Sequence, residues 1–298
     1  MPNTRRGFLQ SAALAAGFAG SAAPQPASPV QVPKMKFGAV EIGRLVAGVN
    51  PFYGFSHFNN TLSGVMRDYF TPERVCEVLH QCASFGINAY NYVAMGRAQP
   101  DYEKLLAEGG KMHLIVQGIG DPTPVYKLFK PLAIYHHGER TDKAWQNGQM
   151  DSVKEWCKQA RDLGTMVGVG THKPEVLAYV EDHGWDVDFY AGCIYNRTRT
   201  TDEWKQVLNN ELVEMQGDCY LRSDPPRMYR FMRQTKKPCF AFKILAAGRI
   251  DDAGVEQAFR TAFESIKPND GVFIGLFPKV KDQVRENAER VTRILVGA

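Results

Sequence analysis

Eight short apolar runs recur along the chain with amphipathic segments between most of them. This alternation constrains the fold more than any other feature of the sequence. The runs are Leu45–Val49, Ile87–Val93, His113–Gly118, Leu132–His136, Met166–Gly170, Val187–Ile194, Cys239–Ile244 and Gly271–Leu276. A strand buried on both faces reads as a continuous apolar stretch. Strands that alternate with helices pack as a parallel sheet with crossover helices. The helix signals agree. Thr71 reads as an N-cap and Pro72 as the first helical residue. Val75, Val78, Leu79 and Cys82 follow at helical spacing. Asp251 or Asp252 caps a helix whose apolar face is Val255, Ala258, Phe259, Ala262, Phe263 and Ile266, and a last helix runs from Val280 to Val296. The third crossover, Pro124 to Lys130, is short.

Eight β/α units in about 250 residues match a (β/α)8 TIM barrel in count and length. An open doubly wound sheet is the other arrangement, but no GxGxxG sits at a strand–helix turn. No linker or composition break interrupts residues 31–298, so they are expected to form one barrel domain. Asp218 to Pro226 is a polar insertion, read as a lid or a crossover loop. The 36 Lys and Arg against 32 Asp and Glu give a net charge of +4, and loss of Arg5 and Arg6 with a cleaved leader gives +2. So small a balance offers no electrostatic case for nucleic-acid or membrane-surface binding.

Residues 1–30 have a basic start, an Ala/Gly/Leu/Phe run and then small residues and prolines, which is the layout of a signal peptide and linker. The apolar run is too short to span a bilayer, and no later segment reaches the length needed. Thr4–Leu9 (TRRGFL) resembles the twin-arginine (Tat) export motif of bacteria. That resemblance implies passage through the Tat machinery in a folded state, cleavage near Ala22 or Ala23, and a periplasmic or otherwise exported protein with no stable membrane anchor. Six cysteines follow, at 76, 82, 157, 193, 219 and 239. They form no CxxC and read mostly as small buried apolar groups; a disulfide pairing cannot be read from their spacing.

A barrel of this kind builds its site at the C-terminal ends of its strands. There the sequence places Asn50 and His57 after strand 1, Asn91 and Tyr92 on strand 2, and Gln117 on strand 3. Strand 4 ends in His136, His137, Glu139 and Arg140, strand 5 in His172 and Lys173, and strand 6 in Asn196 and Arg197. Strand 7 carries Lys243, and strand 8 leads to Lys279. His136 and His137 are adjacent on a strand, so only one of them can enter the barrel mouth. Phe52, Tyr53, Tyr92 and Tyr195 supply aromatic faces able to stack on a sugar ring.

Several stretches in this order resemble the aldo/keto reductases, which are (β/α)8 barrels. Gly86–Asn91 (GINAYN) is similar to that family's strand-2 segment, Ile134–His136 to its strand-4 segment, and Gly168–Glu175 (GVGTHKPE) to its strand-5 segment. Phe240–Gly248 is similar to the strand-7 segment, and Asp282–Asn287 (DQVREN) to the helix that holds the adenosine end of NADP. The resemblance implies a catalytic histidine at His136, an aromatic stacked on nicotinamide at Phe242, and cofactor contacts from Lys279, Glu286 and Asn287. It also implies a tetrad of Asp, Tyr, Lys and His. Here the Asp position holds Asn91, the Lys position Gln117, and the Tyr position falls near Met95, with Tyr92 close by. Lys243 stands where a pyrophosphate-side serine is usual. Neutral amides cannot lower a phenol's pKa as a Lys–Asp pair does.

The sequence leaves three readings of a protein that handles a small polar, carbonyl or carbohydrate substrate. The first is a divergent NADP-linked oxidoreductase built on His136, Asn91, Gln117, Tyr92, His172 and Lys243. The second is a non-redox lyase, isomerase or hydrolase. It uses either a divalent metal held by His136 and His172 with Glu139 or His57, or Lys243 as a covalent amine. The third is a binding protein without catalysis.

Overall fold

The computed structural model describes residues 30–209 and 218–297, so residues 1–29 of the expected leader lie outside the described residues. The chain opens with a two-stranded antiparallel hairpin, β1 (Lys34–Phe37) and β2 (Val40–Gly43). Eight parallel strands follow: β3 (Leu45–Gly48), β4 (Ala89–Val93), β5 (His113–Gly118), β6 (Ala133–His136), β7 (Met166–Thr171), β8 (Phe189–Cys193), β9 (Cys239–Phe242) and β10 (Gly271–Gly275). Each pairs with its neighbour in chain order, and β10 pairs back onto β3, with Val46 opposite Phe273 and Gly48 opposite Gly275. The sheet is a closed (β/α)8 barrel.

The helices lie between the strands. In chain order they are α1 (Asn60–Tyr69), α2 (Pro72–Ser84), α3 (Ala98–Ala107), α4 (Thr123–Phe129), α5 (Gly138–Gln146), α6 (Met150–Asp162), α7 (Pro174–Asp182), α8 (Thr201–Val207), α9 (Pro225–Gln234), α10 (Asp252–Ser265) and α11 (Gln283–Val296). The caps explain the starts. Thr71 accepts from the Arg74 backbone N–H ahead of α2, Asp251 from Gly254 ahead of α10, and Asp282 from Arg285 ahead of α11. Among the described residues no helix is long and apolar enough to cross a membrane. All six cysteines are free thiols, five of them buried.

Two apolar layers form. One lies between strands and helices. The other fills the barrel, where side chains alternate inward along each strand: Val46, Ala89, Ile115, Ala133, Tyr135, Phe189, Ala191, Phe240 and Phe273. The hairpin closes the N-terminal end of this interior. Phe37 is fully buried and meets Phe189 and Phe240 edge-on, each at 5.1 Å. Glycines on β7 make room for the large rings. A Cβ on Gly168 would come within 2.6 Å of the Phe189 ring, and one on Gly170 within 3.0 Å of the Tyr135 ring. Tyr135 therefore lies across the upper barrel, face to face with Phe273 at 6.1 Å.

Candidate active site

At the C-terminal end of the barrel a cleft of about 400 Å³ opens. Its floor is Asn91 on β4, Gln117 on β5, Tyr135 on β6 and Phe273 on β10, with Phe242 and Lys243 on the wall. The Tyr135 hydroxyl donates to Asn91 Oδ1 at 3.0 Å, which leaves the Asn91 amide N–H groups free to donate. The cleft then runs outward beyond the end of β10, between the residues after β9 and the first turns of α11. Lys281, Gln283, Glu286, Asn287 and Arg290 line this outer arm. Lys281 bridges the arm to Asp252 at 2.5 Å, and Arg290 donates to Asn287 Oδ1 at 2.7 Å.

An ionic network stands beside the mouth, centred on the buried guanidinium of Arg197, which follows β8, and reaching solvent at Glu139. Its Nη1 donates to Glu139 at 3.1 Å and to His172 Nε2 at 3.2 Å. Its Nη2 donates to Asp218 at 2.6 Å and lies 3.1 Å from His57 Nδ1. His172, after β7, donates from Nδ1 to Asp142 at 2.6 Å. Asp142 is fully buried on α5 and also accepts from the hydroxyls of Thr171 and Thr198. Burial alone would raise its carboxyl, but the hydrogen bonds from His172, Thr171 and Thr198 hold it below the usual carboxylate range. Asp218 is held low in the same way, by His57 and Arg197. His57 accepts at Nε2 from Asn50 at 3.1 Å, so Nδ1 carries the proton that it donates to Asp218 at 3.0 Å. Burial, with the nearby charges of Lys243 and Arg197, pushes its pKa down to about 4, so it is neutral at pH 7.

Lys243 has the positive backbone φ of 62°, and His57 has 53°. Left-handed non-glycine residues cost energy and cluster at functional sites. Burial, then the charge of Arg197, lowers the Lys243 ammonium to about 7.

The sequence-predicted residues divide. Asn91, Gln117, Phe242, Lys243, Glu286 and Asn287 line the cleft. His172 lies behind it, its ring 5.7 Å from Phe242. Three expectations are corrected. Tyr92 points between strands and helices, where it packs on Tyr102 at 6.0 Å and Phe129 at 5.9 Å, because Asn91 takes the inward position on β4. His136 likewise faces the helices. Tyr135 takes the inward position, and the His136 ring packs on Trp156 at 5.0 Å with Nδ1 on Thr141 at 2.7 Å. Lys279 is exposed beyond the cleft, its Nζ over the Tyr69 ring at 5.7 Å, and Lys281 and Arg290 line the arm instead. His136 and His172 therefore do not converge as metal ligands, and the described residues bring together no group of three or more His, Cys, Asp or Glu suited to a metal ion. Of the aromatics expected at the mouth, Phe52 is fully buried against Phe70 at 4.9 Å.

Asp142, Asp218 and Arg290 were not anticipated. Asp142 lies in a helix whose sequence, GERTDKAWQ, is mostly polar, and Asp218 opens the polar insertion after β8. Nothing local sets either apart.

No protein-family model and no curated protein matches the chain. Solved structures do. A putative aldo-keto reductase from Pseudomonas aeruginosa is 13% identical, with a TM-score of 0.56 over 88% of this chain and 92% of that one. A truncated 3-deoxy-D-arabino-heptulosonate 7-phosphate synthase from Thermotoga maritima is 15% identical, with a TM-score of 0.52 over 89% and 91%. A phospho-2-dehydro-3-deoxyheptonate aldolase from the same organism is 12% identical, with a TM-score of 0.53 over 89% and 72%. At these identities the likeness is one of fold, and that fold hosts unrelated chemistries.

Proposed function

We propose that this chain is an exported, NADP-linked oxidoreductase of a small polar carbonyl compound, divergent in the manner of the aldo/keto reductases it resembles. The observation that carries the reading is the two-ended shape of the cleft. Its mouth offers the aromatic faces of Phe242, Tyr135 and Phe273 and the neutral amides of Asn91 and Gln117. Its outer arm offers Lys281, Gln283, Glu286, Asn287 and Arg290 beside the first turn of a capped 14-residue helix. A dinucleotide has matching parts: a flat ring at one end, anionic phosphates between, and a polar nucleoside at the other end. Helix N-termini and basic side chains favour such phosphates.

The bound cofactor would supply the hydride. The chain's own groups would hold the substrate. The Asn91 amide, fixed by Tyr135, and the Gln117 amide are neutral donors facing the mouth, able to stabilise negative charge growing on a carbonyl oxygen. Asn91 and Gln117 stand where the resembling family has charged partners, and no tyrosine takes its phenol position. The proton economy of the mouth is therefore this chain's own.

Titration of the mature protein with NADPH, followed by nicotinamide fluorescence, tests the reading. Saturable binding that weakens at least tenfold in Arg290→Ala, about 1.4 kcal/mol, is the expected result. Absence of binding at millimolar NADPH would remove the proposal. Export rests on the TRRGFL leader, and the N-terminus of protein recovered from a bacterial periplasm would test it.

A further inference from the structure

Lys243 is the first residue after β9, half-buried in the wall of the mouth. A lysine in such a place normally ends on a carboxylate or carbonyl. Lys173, buried after β7, donates to Glu203 at 2.5 Å. Lys243 Nζ has no hydrogen-bonding acceptor among the described residues. The carboxylates of Asp218 and Glu139 act on it only through space and are already engaged by Arg197. Its backbone is held in the left-handed region, as is that of Ala246 and Ala247 just beyond. So strained a turn persists only where the surroundings impose it. Asn91 and Gln117 face the same cleft.

We propose that Lys243 Nζ is a nucleophile that captures a small aldehyde or ketone as a Schiff base at the barrel mouth. The inference shares with the proposed function the premise of a carbonyl ligand at the mouth, and it does not need the dinucleotide. The amine lone pair forms the C–N bond while the C=O π pair moves to oxygen. The ammonium proton released at nitrogen transfers to that oxygen, giving a carbinolamine. The hydroxyl then leaves as water with one proton taken from solvent, and nitrogen's remaining pair closes the iminium. No oxidant or reductant is consumed. The iminium carries one positive charge, as the ammonium does, and the carboxylates of Asp218 and Glu139 lie near enough to stabilise it. The lowered basicity of the amine supplies its unprotonated form at neutral pH, which an ordinary lysine does not.

The test is borohydride trapping on the mature chain, with glyceraldehyde and pyruvate as separate probes and peptide mass mapping as readout. The expected result is a single reduced adduct at Lys243 with at least one probe. Its yield should rise about fiftyfold from pH 5 to pH 7 and level off above pH 8, whereas exposed lysines keep rising about tenfold per pH unit. Adducts spread over exposed lysines with none at Lys243, or no adduct at all, would overturn the proposal. Lys243→Met should remove the adduct while the far-ultraviolet circular dichroism is unchanged, but the mapping on the unaltered chain decides without it. Arg290→Ala should trap normally. Trapping without NADPH binding would leave this inference standing and the proposed function fallen, and the reverse result would do the opposite.

Discussion

His57 and His136 share one physical condition, enclosure whose cost to the charged imidazole prevails, at His57 even over the carboxylate of Asp218. Burial lowers both to about 4, with Lys243 and Arg197 adding to the effect at His57, and His137 and Arg140 at His136. In the unfolded chain both return to about 6.5. The unfolded state therefore binds more protons between those values. The stability that neutral imidazoles contribute is present above pH 6.5 and lost as pH falls towards 4. Each is worth on the order of 1 to 3 kcal/mol. Urea midpoints should fall between pH 7.5 and pH 4.5, and His136→Gln should flatten part of that fall; an unchanged slope in the variant would contradict the account. Asp142 behaves differently. Its depressed carboxyl contributes stability above about pH 4 that is lost on further acidification. Removing it leaves His172 and two hydroxyls without their acceptor, so Asp142→Ala should cost about 3 to 5 kcal/mol by chemical denaturation. Sequence shows which residues end each strand but not which way they face. The run Ala133–Ile134–Tyr135–His136 is apolar up to its last residue, since both faces of a barrel strand are covered, and so it carries no period-two pattern to set parity. For the same reason the sequence does not show that Tyr92 and His136 face the helices while Asn91 and Tyr135 face the mouth.

The strands were legible at the level of elements for the reason that parity was not. Burial on both faces makes a parallel strand an apolar run, and the eight observed strands fall within the expected runs to within a residue or two at either end. The N-terminal hairpin escaped because each of its strands has four residues and only one covered face. Lys34 and Lys36 point to solvent between Met35 and Phe37, so the apolar signal is halved. Yet the hairpin is the floor of the barrel. Phe37 fills the space between Phe189 and Phe240 with no exposure. Phe37→Ala should cost about 3 to 5 kcal/mol, whereas Phe37→Leu, which keeps most of the volume, should cost less than half of that. Equal losses in the two variants, measured by urea unfolding, would mean that hairpin contacts other than this ring hold the floor.

For the whole molecule, the two ends of the cleft stand on different elements of the closed barrel and are chemically separate. The mouth is built from β4, β5, β6 and β9, and the outer arm from α11 and the turn before it. A ligand that binds only the folded state raises its stability by RT ln(1 + [L]/Kd), about 2.7 kcal/mol at a hundredfold excess over Kd. NADPH should therefore raise the thermal midpoint by several degrees, and Lys281→Ala with Arg290→Ala should erase most of that rise. Lys281 pairs with an exposed Asp252, and such a surface pair contributes about 0 to 1 kcal/mol. Arg290 is largely buried, pairs with Glu256 and lies over the Phe259 ring at 5.6 Å, so the midpoint without ligand should fall somewhat in the double variant, and the NADPH shift is read against that lower midpoint. Lys243→Met makes the complementary case. It removes a charge that burial already disfavours, so the ligand-free midpoint should hold or rise. The NADPH shift should persist, because none of the residues lining the outer arm is touched. Loss of the NADPH shift in Lys243→Met, with an intact ligand-free midpoint, would place this lysine on the cofactor's phosphates and remove it as the group that meets the carbonyl.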